Sequence, residues 1–264
     1  MASPLVTVVT PAFNSAATLA ETWDSIRAQT LIDWEWRVVD DGSTDATPDL
    51  LTRIAAGDAR IHVARLATNS GAAAARNHAI AEAQGRFIAF LDADDLWMPD
   101  KLARQTAMMT ATGTGLSYGA YDLIGPDGAP RGHVTVPART NYDALLRRNA
   151  IGCLTAVYDT ALYGRVLMPP IRMRQDYGLW LKLLRDGGTA RAVDGTLAQY
   201  RQHPASLSAN KIAAAHATWA LFRQTEGLNL PRSAYYFAHY ATGTLARLGA
   251  RTLAMRRGVD NDRS

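Results

Sequence analysis

Three carboxylates lie within four residues of the sequence, at Asp92, Asp94 and Asp95. They follow the apolar run 86–91, which is typical of a strand in the interior of a sheet. Crowded carboxylates repel one another and resist burial, so a positive charge must offset them. Oxygen ligands at this spacing suit Mg2+ or Mn2+, and such an ion could bridge the oxygens of a diphosphate. The alternative is an acidic segment that merely precedes the helix predicted to begin at Pro99.

A second acidic segment, residues 40–45, follows the predicted strand 34–40. Ligands of open α/β sheets bind at the carboxyl ends of the parallel strands. We therefore expect Asp41 to face a ligand, where it could accept a hydrogen bond from a base or a ribose. We expect Asp45 to cap the helix that follows, since Asp is favoured at helix starts.

Asn69 and Gly71 open an alanine-rich segment that contains Arg76. Gly71 would allow a ligand to approach the backbone, and Arg76 could place a guanidinium near an anionic ligand. The Gly-Lys-Ser/Thr ending of a phosphate-binding loop is missing, and no Gly-x-Gly-x-x-Gly follows the first predicted strand. Read alone, the segment predicts a helix packed on a sheet.

Two further positions could take part in chemistry, near the predicted helix 174–185 and after the predicted strand 197–201. Asp176 lies at the start of that helix, where the helix dipole favours an ionised carboxylate able to act as a general base. Trp180 follows one turn later and could stack on a sugar ring; the alternative is a tryptophan of the core. His203 could serve as a metal ligand or a diphosphate contact, although a lone histidine is usually neither.

Alternating strand and helix patterns in the first third predict a parallel sheet with crossover helices, an α/β fold. The predicted strands are 5–10, 34–40, 61–66, 86–91, 116–124 and 197–201. The predicted helices are 16–28, 47–56, 69–84 with Gly85 as its cap, one from Pro99, 142–148, 174–185, 207–224 and 233–250. The simplest organisation is a catalytic domain over 1–204, a C-terminal helical extension over 205–255 and a polar tail over 256–264.

The composition is that of a folded globular chain of 264 residues, with 48% hydrophobic and 20% charged residues. The net charge of +4 fits an anionic ligand or membrane surface, but no block of basic residues indicates nucleic-acid binding. The one cysteine, Cys153, predicts a reducing compartment. Since neither a signal peptide nor a membrane-spanning run is evident, we expect a cytoplasmic protein. Its aromatic and basic C-terminal helices could contact the inner face of the membrane, pack on the core or form a homodimer.

Taken together, these segments resemble the family 2 glycosyltransferases, which have the GT-A fold. The matching pieces are Pro11-Ala12-Phe13-Asn14, Val39-Asp40-Asp41-Gly42-Ser43-Thr44-Asp45, Asn69-Ser70-Gly71 with Ala75-Arg76-Asn77, Phe90-Leu91-Asp92-Ala93-Asp94-Asp95 with Trp97, Gln175-Asp176-Tyr177-Gly178-Leu179-Trp180, and Tyr200-Arg201-Gln202-His203. The acidic motif alone is unspecific, whereas the ordered set is specific and spans residues 5–204. The middle and the tail resemble, more narrowly, bacterial enzymes of teichuronic-acid and capsular polysaccharide assembly.

The resemblance implies a metal-dependent, inverting transfer of a sugar from a nucleotide-sugar donor, which we expect to be UDP-linked. The acceptor would be a cell-surface polysaccharide or a lipid-linked glycan. By the same resemblance, the nucleotide-sugar pocket would be lined by Pro11, Phe13, Asn14, Asp41, Asn69, Gly71, Arg76 and Asp92. Asp94, Asp92 and His203 would hold Mn2+ or Mg2+, Asp176 would be the catalytic base, and Trp180 would contact the acceptor. Gln175 departs from the pattern, because many relatives carry Glu before the catalytic Asp.

Two other classes of protein remain as alternatives. A nucleotidyltransferase, or another nucleotide-sugar enzyme on a related α/β fold, would want a glycine-rich basic loop after the first strand. This chain has residues 11–14 there instead. A non-catalytic binding protein could keep the same fold, but the retained acidic cluster and Asp176 argue against it.

Overall fold

A computed structural model describes residues 3–203 and 211–242, and its centre is a mixed β-sheet. The strands are β1 (Val6–Ala12), β2 (Trp34–Asp40), β3 (Ile61–Arg65), β4 (Phe87–Phe90), β5 (Leu96–Trp97), β6 (Leu116–Ile124), β7 (Pro130–Val134), β8 (Arg139–Asn141), β9 (Val157–Asp159) and β10 (Thr189–Arg201). Their order is β3-β2-β1-β4-β9-β6-β10-β5, with β7 paired to β6 and β8 to β10. Strands β3, β2, β1 and β4 are parallel to one another, as are β6 and β10.

Helices cover both faces of this sheet. They are α1 (Leu19–Arg27), α2 (Thr47–Ala56), α3 (Ala72–Glu82), α4 (Lys101–Thr112), α5 (Tyr142–Arg147), α6 (Thr160–Tyr163), α7 (Gln175–Leu184), α8 (Lys211–Ala220) and α9 (230–242). A 3-10 turn spans Cys153–Thr155, and a π-helical turn spans Leu221–Thr225. None of the helices in the described part of the chain is long and apolar enough to cross a bilayer.

The parallel half of the sheet follows the sequence prediction closely. The bounds of β2 and α2 are those predicted, and β1, β3 and β4 differ from the prediction by no more than two residues at either end. The side chains of adjacent residues of β1 point to opposite faces of the sheet. Val8 joins the core under α1, α2 and α4, while Val9 joins the core under α3, α5 and α7. β4 is buried along its whole length, as expected for a strand covered on both faces.

Gly85 corrects one local prediction, because it is not the cap of α3. The helix ends at Glu82, and a side chain at Gly85 would collide with the backbone of Thr7 in β1. The Gly85 N–H instead donates to the Thr7 hydroxyl at 2.8 Å. Glycine is therefore needed here for the close approach of the crossover to β1.

The C-terminal helices pack against the catalytic core over the residues that are described. The Tyr142 hydroxyl and the Arg185 guanidinium both donate to the Glu226 carboxylate, at 2.7 and 3.0 Å. The ring of Phe222 packs edge-on against Tyr177 of α7. The predicted helices 207–224 and 233–250 are found in part, and their residues 207–210 and 243–250 lie outside the described chain.

Lys101, the first residue of α4, is fully buried, and its Nζ has no hydrogen-bond partner among the residues that the structure describes. The Nζ lies 4.1 Å from the ring centroid of Trp97, a cation–π contact that offsets part of the cost of burial. Burial lowers the pKa of Lys101 well below its ordinary value. The folded chain therefore binds this proton less tightly than the unfolded chain does. As a result, the free energy of unfolding rises with pH between the lowered pKa and the ordinary lysine value of about 10.4.

We expect Lys101→Met to raise the free energy of unfolding at neutral pH by about 1–3 kcal/mol, because it removes a buried amine whose hydrogen-bonding capacity is unsatisfied. The substitution should also remove this part of the rise with pH. Urea unfolding at several pH values measures both effects. Lys182→Met, at an exposed position of α7, is the matched control and should leave the slope as it is. An unchanged slope in Lys101→Met would contradict the expectation.

Candidate active site

The acidic segment that follows β4 is held by hydroxyl groups of α1 and the turn before it. The Thr18 hydroxyl donates to the carbonyl of Ala93 at 2.9 Å, and the Thr22 hydroxyl donates to that of Asp95 at 3.0 Å. Within the segment, the Asp95 N–H donates to the Asp92 carbonyl at 3.1 Å. Its backbone is thus fixed by bonds from outside the strand, which helps to keep the carboxylates in place despite their repulsion.

Arg201, the last residue of β10, fastens the same segment from the other side. Its guanidinium donates to the carbonyls of Asp94 at 3.0 Å and Pro126 at 3.1 Å, and to the Glu21 carboxylate at 2.6 Å. Its backbone N–H donates to the buried carboxylate of Asp95 at 2.9 Å. Only 2% of Arg201 is exposed. The sequence motif contained this arginine, but nothing in the sequence indicated that it holds the acidic turn.

Arg76 pairs with Asp92, which places α3 against the end of β4. Burial alone would lower the pKa of the Arg76 guanidinium, but the neighbouring carboxylates, Asp92 above all, raise it above its ordinary value. Asp176 contributes in the same direction, so its charge lies within range of this pair. The structure therefore brings together three residues predicted from separate segments of the chain.

Asp94 and His203 also meet, with Oδ2 of Asp94 3.3 Å from Nε2 of His203. Burial and the nearby Asp92 carboxylate raise the pKa of Asp94, and His203 opposes that shift. About a third of each of the Asp94 and His203 side chains remains exposed. Across residues 3–203 and 211–242, no three histidine, cysteine or acidic side chains group closely enough to form a metal centre by themselves.

Asp41 holds the loop before α3 instead of projecting freely from the sheet. Its two carboxylate oxygens accept the N–H groups of Ser70 and Gly71, at 2.7 and 2.8 Å. Only 3% of Asp41 is exposed. Gly42 lies beside the same loop, and a side chain there would come within 2.9 Å of the Asn69 nitrogen. The two loops predicted to bind a nucleotide are therefore joined to each other, because the Asp41 carboxylate in one binds backbone N–H groups of the other.

The loop after β1 is connected to the loop after β2. The Asn14 N–H donates to the Ser43 hydroxyl, and the Asn14 side-chain oxygen accepts from the Thr44 N–H, both at 2.9 Å. Asn14 has a φ of 48°, a left-handed conformation that asparagine tolerates better than most residues. Phe13 beside it is 45% exposed, and Pro11 is half-buried at the end of β1. These residues leave an open apolar surface at the carboxyl edge of the sheet.

Asp176 occupies the first turn of α7 and is half-buried. The structure corrects the prediction for Trp180, which is fully buried and packs edge-on against Phe90 at a centroid distance of 5.5 Å. A sugar ring cannot stack on a side chain enclosed in this way. The residue one turn after Asp176 on the same face points into the core because α7 lies flat on the sheet.

Cys153 is a neighbour of the site that sequence reasoning missed. Burial raises the pKa of its thiol, and Arg76 lowers it, while Asp92 and Asp176 raise it further. The turn that carries it is held by Trp97, whose indole N–H donates to the Leu154 carbonyl at 2.7 Å. The sequence showed only an apolar stretch around this cysteine, so its proximity to the acidic residues could not be anticipated.

Comparison with known proteins identifies the class to which this fold and site belong. The sequence model of "Glycosyl transferase family 2" matches residues 7–168, more than half of the chain. The chain therefore belongs to family 2 of the glycosyltransferases and is a glycosyltransferase.

Similar proteins of named function come from bacteria. The chain is 41% identical over 245 residues to the putative teichuronic acid biosynthesis glycosyltransferase TuaG of Bacillus subtilis, covering 92% of this chain and 97% of that protein. It is 34% identical over 237 residues to WfgD of Escherichia coli, described as a UDP-Glc:alpha-D-GlcNAc-diphosphoundecaprenol beta-1,3-glucosyltransferase, covering 89% and 92%.

Two solved structures show the same GT-A fold. TarS residues 1–349 of S. aureus, in complex with UDP-GlcNAc, align with a TM-score of 0.69 at 18% identity, over 89% of this chain and 71% of that one. The mannosyltransferase PcManGT of Pyrobaculum calidifontis, in complex with GDP-Man and Mn2+, aligns with a TM-score of 0.67 at 21% identity, over 97% and 81%. At these identities the likeness shows the fold alone, and it confirms the fold class predicted from the sequence.

Proposed function

We propose that this glycosyltransferase moves a sugar, with inversion at the anomeric carbon, from a UDP-linked donor to a cell-surface polysaccharide or lipid-linked glycan acceptor. The observation that carries the proposal is that Arg76 pairs with Asp92 and lies within range of the Asp176 charge, while Asp94 lies beside Asp92 at the carboxyl end of β4. This arrangement offers a binding place for a diphosphate. It also supplies a carboxylate that can accept the proton of an acceptor hydroxyl.

The donor and the acceptor are inferred from relatives at high coverage. WfgD is named as a UDP-glucose enzyme that acts on a diphosphoundecaprenol-linked sugar, and TuaG as an enzyme of teichuronic acid biosynthesis. The nucleotide would lie over the joined loops at the ends of β1 and β2, beside Pro11, Phe13 and Asn14. Asp41 would support that pocket by holding the backbone of Ser70 and Gly71. No glycine-rich basic loop follows β1, so a nucleotidyltransferase is not favoured.

The residues at the end of β4 fit a divalent cation such as Mn2+ or Mg2+. Asp94 supplies a hard carboxylate oxygen, His203 lies 3.3 Å from it, and Asp92 is close enough to raise the pKa of Asp94. A cation would relieve that crowding of negative charge. Two protein ligands suffice for such an ion, because substrate phosphates and water complete the coordination shell. A bound cation would neutralise charge on the departing nucleoside diphosphate.

In the proposed reaction, Asp176 accepts the proton of the acceptor hydroxyl as that oxygen attacks the anomeric carbon and the bond to the diphosphate breaks. Arg76 holds Asp92 at the diphosphate side and adds a positive charge there. Arg201 fixes the acidic turn, so that Asp94 and His203 keep their relative position when ligands bind. The acceptor would approach over the start of α7, without contact to the enclosed Trp180.

We expect UDP to raise the melting temperature of the protein, and Mn2+ to enlarge that shift, because a ligand of the folded state stabilises it. Asp94→Asn should lose the manganese-dependent part of the shift. Asp100→Asn, a neighbouring and half-exposed carboxylate that pairs with Arg104, is the control. If Mn2+ leaves UDP binding unchanged in the unsubstituted protein, the metal assignment is wrong. A larger shift with GDP or dTDP would contradict the assignment of the base.

Asp176→Asn should bind UDP with unchanged affinity and lower kcat by about 10²- to 10⁴-fold, the contribution expected of a general base. The rate at which nucleoside diphosphate is released during transfer to a lipid-linked acceptor gives kcat. Titration of the protein with UDP gives the affinity. Asp186→Asn, just beyond the other end of α7 and exposed, should behave as the unsubstituted protein. Normal turnover by Asp176→Asn would rule out its role as the base.

Peripheral membrane contact is a further part of the proposal, since the acceptor named for WfgD carries a lipid. It rests on three exposed apolar side chains of the C-terminal helices, namely Ile212, Leu230 and Tyr235. Tyr236 instead packs in the core. We expect the full chain to float with vesicles that contain phosphatidylglycerol, and Ile212→Ser with Leu230→Ser to reduce the floating fraction. Equal flotation of both proteins would contradict contact through this surface.

A further inference from the structure

Arg174, the residue before α7, has a left-handed backbone conformation with φ 68° and ψ 16°. Within the described residues, the other non-glycine residue with positive φ is Asn14. Asparagine tolerates this conformation, whereas arginine has no local means to offset its conformational cost. Such a conformation persists only where the surrounding structure holds it. Arg174 lies two residues before Asp176, so whatever holds this backbone also sets the start of the helix that carries the proposed base.

The contact that holds Arg174 comes from the C-terminal helix. Its Nη2 donates to the Tyr240 hydroxyl at 3.0 Å, and its guanidinium carbon lies 5.7 Å from the centroid of the Tyr240 ring. The carbonyl of Arg174 accepts the N–H of Gly178 at 2.9 Å, which is the first hydrogen bond of α7. One residue therefore begins α7 with its backbone and reaches α9 with its side chain.

The neighbouring contacts fasten the same end of α7. The Tyr177 hydroxyl, one turn after Arg174, donates to the Leu145 carbonyl of α5 at 2.6 Å. Burial raises the pKa of Tyr177, and the charges of Arg174 and Glu226 act on it as well. The ends of α5, α7, α9 and the π-helical turn thus meet at the start of α7. The extension is part of the support of the site instead of a separate appendage.

We propose that Arg174 and Tyr240 form a positioning pair, through which the C-terminal helix holds Asp176 in the geometry that turnover requires. The proposal rests on the role of Asp176 given above and deepens it. The contact between Arg174 and Tyr240 joins the start of α7 to α9, and Asp176 lies two residues beyond it, so we expect its loss to affect proton transfer and to leave donor binding intact. If Arg174 returned to an ordinary backbone conformation, the first turn of α7 would reorient. A displacement of about 1 Å at a reacting group can lower a rate by about 10²-fold.

Three variants test the pair. Arg174→Ala and Arg174→Met both remove the guanidinium and still disfavour the left-handed conformation, and Tyr240→Phe removes only the hydroxyl. We expect each to lower kcat by roughly tenfold to a hundredfold, with unchanged KM for the donor and unchanged affinity for UDP. Tyr236→Phe is the matched control on the same helix, because it deletes a tyrosine hydroxyl that binds Asp143 of α5. It should keep kcat.

A double-mutant cycle separates positioning from general destabilisation. If Arg174 and Tyr240 act through one contact, the double variant Arg174→Ala with Tyr240→Phe should be no slower than the slower single variant. Additive losses would overturn the proposal, as would an unchanged kcat in Arg174→Ala and Arg174→Met or an equal loss in Tyr236→Phe. Asp176→Asn, measured alongside, keeps the two proposals apart: its normal turnover would reject the base assignment, whereas an inactive Asp176→Asn with fully active Arg174 variants rejects the positioning pair alone.

Discussion

The site depends on crowded negative charge at the end of β4. Three carboxylates within four residues can be kept near one another only if their repulsion is offset and their backbone is fixed. Two buried arginines do much of this: Arg76 neutralises Asp92, and Arg201 binds the backbone and side chain of the segment from Asp94 onward. Both arginines come from distant parts of the chain, so the acidic turn can form in this way only after the sheet and α3 are assembled. The architecture of the catalytic domain therefore serves first to bring positive charge to this point.

The part of the fold that could be predicted is the part in which each element carries its own signal. β1 to β4 and the helices between them are read from apolar runs, capping residues and glycines. β1, β2 and β4 lie in the interior of the sheet, whereas β3 is its edge strand beside β2. The strands β5, β7, β8 and β9 were missed. They are five residues long at most, and each pairs antiparallel with its neighbours. β9 lies between β4 and β6, whereas β5, β7 and β8 pair with β10 or β6. Their formation is decided by contacts across the sheet, which a sequence pattern does not contain.

The candidate site also has a part that the sequence predicts and a part that is decided by contacts between distant segments. Asp92, Arg76 and Asp176 lie together as the ordered motifs indicated, and Asp94 contacts His203. The ligand contact expected of Asp41 stays a prediction. Its oxygens also support the backbone of a loop, a role that depends on how two loops pack and that the sequence did not indicate. Trp180 was misjudged because helical spacing gives the face of a residue but not which face meets the sheet. Arg201 and Cys153 could not be assigned because their roles arise from proximity to residues in separate segments of the chain, such as Asp94 for Arg201 and Arg76 for Cys153.

Gly42 gives one further consequence. Because its backbone presses against Asn69 while the adjacent Asp41 binds Ser70 and Gly71, the loops after β2 and β3 form a single unit before any ligand arrives. A rigid pocket has already lost the freedom that a mobile one must give up when it closes on its ligand. In the proposed nucleotide pocket, the entropy of ordering these loops would therefore be lost during folding, and a larger fraction of the contact energy with the nucleotide would be retained as affinity.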